Sequence, residues 1–93
     1  MVIGVTSWEL SLPECRTLKD KRRVVKSLKE RLQSRFKVSV AETRYQDIWT
    51  RAEITAAVVA SDGRHADSIL DTLDRFVEMD GRGLIVRTER SLR

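Results

Sequence analysis

The apolar residues of this chain switch between a spacing of two and a helical spacing in an order that leaves few folds open. Val2, Gly4, Thr6, Trp8, Leu10 and Leu12 share one face of the first segment, and Ile3, Val5, Ser7, Glu9 and Ser11 the other, as in a half-buried strand. Pro13 ends it. Thr17 then offers a capping hydroxyl, Asp20 three residues on can complete a capping-box-like pair, and Leu18, Val25, Leu28, Leu32 and Phe36 lay an apolar stripe along a helix. Lys37 to about Arg44 reads as a second strand. Thr50 to Ser61 is apolar on both faces, which predicts a strand in the middle of a sheet. Asp62 and Gly63 turn the chain into a second helix, from about Arg64 to Met79, with Ala66, Ile69, Leu70, Leu73, Phe76 and Val77 facing inward. Asp80 to Gly83 break that helix, Leu84 to Glu89 forms a last strand, and the tail from Arg90 is expected to fray.

Strand, helix, strand, strand, helix, strand is the split βαβ order of ferredoxin-like domains. Two right-handed crossovers place both helices on one face of a four-stranded antiparallel sheet. The expected class is α+β, as a single domain over residues 1–93. A chain of this length hides only about 60–65% of its unfolded surface, so two stacked layers are its practical limit. No apolar run approaches the roughly 18–20 residues that span a bilayer, and Met1 to Leu12 lacks the basic start of a signal peptide. With one cysteine, Cys15, and hence no internal disulfide, the expectation is a cytoplasmic protein without a membrane partner. The sequence contains no asparagine, a bias expected of a heat-adapted source.

Charge is distributed unevenly. Residues 16–37 carry ten Lys and Arg against Asp20 and Glu30, a net +8 in a chain whose total is +4, so the remainder sums to −4. Such a footprint points to an anionic partner, with nucleic acid first. At about 100° per residue, Lys19, Arg22, Lys26 and Lys29 fall within one quadrant of the first helix with Arg23 beside them, flanking the apolar stripe. Lys19 and Lys21 in the first turn oppose the helix dipole, a small cost that a binding role would explain. The plain alternative is a solvated face. Asp67, Asp71, Asp74 and Glu78 form an acidic stripe on the second helix, read first as solvated, though opposite stripes on two helices also leave a homodimer open.

Other chemistry finds little support. Base stacking on the central strands needs aromatics, and the face bearing Ile3, Val5, Ser7, Glu9, Glu53, Thr55, Ala57 and Val59 has none. Acylphosphatases of this topology use an asparagine and a Gly-rich phosphate loop, and copper chaperones a pair of cysteines; this chain has neither set. Nothing brings Cys15 and His65 together as nucleophile and base, and His65 reads as a surface residue. Trp49 is expected to lie as a lid on the core, and Asp47 to bond nearby backbone in the hairpin turn. A pocket holding Glu42 beside Arg22 or Arg23, with unexplained density in it, would reopen an enzymatic reading.

Three ordered blocks, Thr17-Leu18-Lys19-Asp20-Lys21-Arg22-Arg23, Phe36-Lys37-Val38-Ser39-Val40-Ala41-Glu42 and Asp47-Ile48-Trp49, resemble the signature of the YlxP-like family of small bacterial proteins of unknown function (domain-of-unknown-function family 503). The likeness runs from Val2 to about Val86. Thr17 stands where serine is more usual and keeps the capping hydroxyl; Lys37 replaces asparagine, and Thr43 to Gln46 depart from an acidic hairpin. The resemblance implies a ferredoxin-like fold, no established enzymatic activity, and a gene near those for translation initiation and ribosome maturation factors. The expectation is therefore a non-enzymatic RNA- or ribosome-associated module without metal or cofactor, contacting nucleic acid through Lys19, Arg22, Arg23, Lys26 and Lys29. The competing expectation is a homo-oligomeric protein-interaction module.

Overall fold

The computed structural model describes residues 1–93. Its elements are β1 (Val2–Ser11), α1 (Leu18–Phe36), β2 (Ser39–Arg44), β3 (Arg51–Ala60), α2 (Gly63–Asp80) and β4 (Leu84–Leu92). The sheet order is β2-β3-β1-β4, antiparallel throughout, so the strand apolar on both faces is central, as predicted. β1 pairs with β3 from Val2 opposite Ala60 to Ser11 opposite Arg51. β4 follows β1 from Leu92 opposite Gly4 to Leu84 opposite Ser11, with a shift of register between Glu9 and Leu10.

Thr17 caps α1, its hydroxyl accepting from the Asp20 amide at 3.1 Å. The Asp20 carboxylate reaches one residue beyond a standard capping box and accepts from the Arg16 amide at 3.1 Å. Asp62 caps α2, accepting from the His65 amide at 2.8 Å, and Gly81 closes that helix in the left-handed region that a side chain would strain. Both helices cover one face of the sheet. Trp8 and Leu10 of β1 and Leu12 just beyond it meet Val25, Leu28 and Leu32 of α1, Leu70, Leu73 and Val77 of α2, and Ile54 of β3 in a single buried cluster. Each such side chain contributes roughly 1.5–3 kcal/mol by leaving water. α2 can sit close because β1 has no Cβ at Gly4, where one would stand 3.2 Å from Leu70 Cδ1.

The chain end differs from expectation. β4 continues to Leu92, and Arg93 and Ile3 exchange backbone hydrogen bonds of 2.7 and 2.8 Å. Arg90 lies on the helix side of β4 and reaches Asp67, Asp71 and Asp74 at 3.4, 2.9 and 2.7 Å. The acidic stripe is thus a clamp between α2 and β4, with Glu78 alone outside it. Burial works against the Arg90 charge, but hydrogen bonds with Asp71 and Asp74 and the negative charge of both outweigh it and hold the guanidinium above its ordinary pKa. Arg90→Ala leaves three carboxylates on one helix face without their cation. The ion pairs are partly exposed, so a loss of about 1–2 kcal/mol is expected in urea denaturation. Substitution of Arg87, whose partner Glu89 is as exposed as it is, should change stability by less than about 0.5 kcal/mol.

Candidate functional site

Lys21 stands apart from the other cations of α1. The stripe Lys21, Val25, Leu28, Leu32 recurs at four, three and four, and Lys21 is 1% exposed beneath the hairpin that joins β2 to β3. Its ammonium donates to the Tyr45 carbonyl oxygen and lies 2.8 Å from Glu42 Oε2. Glu42 follows Val38 and Val40 on the inward face of β2, so two opposite charges meet where each sequence pattern called for an apolar residue. Oε2 of Glu42 is shut off from water, which leaves the Lys21 ammonium as its compensation. This pair was not foreseen. The signal was present as a charge in the apolar stripe of α1 and another in the alternation of β2.

The remaining α1 cations sort by neighbour. Arg31 donates to Asp80 and lies 5.5 Å over the Phe76 ring, while Arg35 covers Phe36 at 5.8 Å and Phe76 at 5.6 Å. Of the five predicted site residues, Lys19, Arg22, Arg23 and Lys29 enter no ion pair, and Lys26 has only the exposed Glu30 at 4.0 Å. Arg22, Lys26 and Lys29 line a groove of about 470 Å³ with Val25, Glu30, Gln33 and Glu42. The groove runs between α1 and β2, an edge strand, and Gln33 Nε2 donates to the Val40 carbonyl at 3.4 Å. Arg23 turns to the other flank, where it borders Glu14, Cys15, Asp20 and Arg82. Lys19 is exposed on the first turn and lines neither hollow.

The hairpin tip departs from expectation as well. Trp49 does not cover the core: it is 46% exposed, beside Ile48 at 45%. Asp47 makes no backbone hydrogen bond through its side chain; the turn is closed by the Ile48 amide donating to the Tyr45 carbonyl at 3.0 Å. Tyr45 itself has a φ of 66°, an uncommon conformation for a bulky residue. Its hydroxyl donates to Glu9 Oε1 at 3.2 Å.

The open face of the sheet is internally paired. Glu9 and Glu53 face each other across β1 and β3, and Arg51 at 2.9 Å from Glu9 and Arg44 at 3.9 Å from Glu53 offset that repulsion. A row of hydroxyls, Ser7, Thr55 and Thr43, crosses the same face at 2.8 Å steps. The central strands place no aromatic there. Toward the other end the face is apolar, with Ile3 opposite Val59 and Val5 opposite Ala57. Glu42 and Arg22 do share a hollow, but the partner of Glu42 is Lys21. Cys15 is buried; burial first, then Asp20 and Glu14, push its thiol up against the pull of Lys21, which works against a nucleophile. His65 is exposed at the start of α2.

Comparison with known proteins agrees with this architecture. A de novo designed protein with ferredoxin fold, LFR1 1, solved by NMR in solution, is similar with a TM-score of 0.55 and 16% identity, covering 100% of this chain and 85% of that one. The uncharacterised protein YlxP of Bacillus subtilis (strain 168) is 34% identical over 92 residues, covering 95% of this chain and 98% of that one. Residues 3–90 match the family described as "Protein of unknown function (DUF503)". With these two matches spanning nearly its whole length, the chain belongs to the DUF503 family.

Proposed function

We propose that this protein is a non-enzymatic RNA-binding module, acting in association with the ribosome, whose α1 contacts phosphates through Lys19, Arg22, Arg23, Lys26 and Lys29. One observation carries the reading. The acidic residues of α2 are engaged elsewhere, Asp67, Asp71 and Asp74 by Arg90 and Asp80 by Arg31 and Arg82, and of the two carboxylates in the groove Glu42 is taken by Lys21, leaving Glu30 at 4.0 Å from Lys26. The cations of α1 that build the fold, Lys21, Arg31 and Arg35, are distinct from those left free. A free cationic row beside a groove attracts a polyanion without any fixed sequence preference.

The test is titration of ribosomal subunits and ribosomal RNA fragments over several salt concentrations. If all five cations engage single-stranded RNA, the slope of log affinity against log salt is about −3.5; if only the three in the groove do, it is about −2. Replacing Arg22, Arg23 and Lys26 with glutamate is expected to weaken binding at least about tenfold. Salt-insensitive binding, or binding unchanged by that triple substitution, removes the proposal.

A second reading, a homodimer or protein-interaction module, is favoured by the uncovered apolar end of the sheet, where Val59 is 65% exposed beside Ile3, Val5 and Ala57. Light scattering and nuclease-treated copurification separate the two. A partner that survives nuclease belongs to this second reading.

A further inference from the structure

The five aromatic residues of the chain have different fates, and one is left nearly half exposed. Trp8 is fully buried, and its Nε1 donates to Asp74 Oδ1 at 2.7 Å. Phe36 and Phe76 meet edge to face at 5.2 Å beneath Arg31 and Arg35. Tyr45 is tied through its hydroxyl to Glu9. Trp49 stands nearly half exposed at the hairpin tip, where polar or small residues are the usual occupants.

The tip is held in place from three directions. The Tyr45 carbonyl accepts from both the Lys21 ammonium on α1 and the Ile48 amide within the turn. The Tyr45 hydroxyl reaches β1 at Glu9, and the Thr50 carbonyl accepts from the Leu12 amide at 2.9 Å. Glu42 links tip and groove, because it pairs with Lys21 and also lines the hollow with Arg22, Lys26 and Lys29. From Gln33 at one end, the groove runs to Glu42 at the other, whose partner Lys21 holds Tyr45 in the hairpin that carries Trp49 four residues further on. An aromatic face at the end of a cationic track is the arrangement that single-stranded nucleic acid uses, with phosphates along the track and bases on the ring.

We propose that the ligand is single-stranded RNA, its phosphates held by Arg22, Lys26 and Lys29 in the α1–β2 groove and an unpaired base stacked on Trp49. This rests on the RNA-binding reading of α1 and adds to it a base-contacting residue and a preference for unpaired strands. A duplex presents its phosphates but hides its base faces, so it engages the cations alone. Every base has a π-face, so the contact tolerates any sequence.

The two tryptophans make the test direct, since Trp8 is sealed and Trp49 reports alone on a ligand at the tip. The full chain is titrated with a short labelled single-stranded RNA and with a duplex of the same length. Affinity is read by anisotropy, and indole emission is followed with unlabelled RNA. Expected are quenching by the single strand, tighter binding of the single strand than of the duplex, and a loss of about 5- to 150-fold in single-strand affinity for Trp49→Ala. Trp49→Phe should recover most of that loss, and both variants should keep the wild-type duplex affinity and salt slope. Single-strand binding unchanged in Trp49→Ala, or equal affinity for the two RNAs, overturns the stacking site while leaving the α1 reading intact if the glutamate triple variant still binds at least about tenfold more weakly. Binding unchanged in that triple variant overturns both.

Discussion

Lys21→Met should lower the stability of the protein by about 2–4 kcal/mol in urea denaturation. Removing one member of a buried ion pair typically costs about 3–5 kcal/mol because the other charge stays behind without compensation. Glu42 keeps 19% of its side chain exposed, which places the expectation toward the lower end. For a domain of this size, with roughly 5–14 kcal/mol in total, that is a large share. The double variant Lys21→Met, Glu42→Leu removes both charges and should return to within about 1 kcal/mol of the parent. A single variant as stable as the double would show that the pair is solvated and would remove its structural role. Lys21→Met also takes a donor from the Tyr45 carbonyl, so the Ile48 amide should exchange hydrogen faster than in the parent.

The second large effect separates the tryptophans. Trp8→Ala leaves a cavity among β1, α1 and α2 and should cost about 3–5 kcal/mol, lowering Tm by more than about 12 °C. Trp8→Phe keeps most of the ring but loses the donor to Asp74, for about 1–2 kcal/mol. Trp49→Ala, at a ring that still buries about half of its surface, should cost about 1–2 kcal/mol, well below the loss at Trp8. Equal losses at the two positions would contradict the burial of one and the exposure of the other.

The order of elements was legible because each is long enough for its period to show. Val2 to Leu12, the stripe from Val25 to Phe36, and the doubly apolar run before Ser61 all fold as their spacing predicts, with ends displaced by two residues or fewer. Positions outside a period were harder to read. Trp49 lies in a turn, where no neighbour at a fixed spacing reports whether the ring faces inward. Arg90 was read as a loose end because its partners, Asp67, Asp71 and Asp74, lie more than a dozen residues away in sequence and meet it only after α2 has docked. Lys21 was hidden for the opposite reason: a run of cations so dense draws attention to total charge and away from the heptad-like positions Lys21 shares with Val25 and Leu28.

The candidate site was half legible. Helical spacing puts Arg22, Lys26 and Lys29 on one face, and they line one groove, because a helix face is a local property. That β2 supplies the opposite wall and that Arg23 belongs to another flank depend on how α1 settles on the sheet, which only packing decides.

The placement of the lysines has a practical consequence for anyone labelling or immobilising this protein. All five sit on α1 or at its C-cap, and Lys21 is sealed. Amine-directed reagents therefore find, besides the chain's α-amino group, only Lys19, Lys26, Lys29 and Lys37. A dye, a biotin or a sensor surface attached through lysine lands on the helix it is meant to observe and occludes it, so thiol-free tagging at a backbone terminus is the attachment that leaves that helix open.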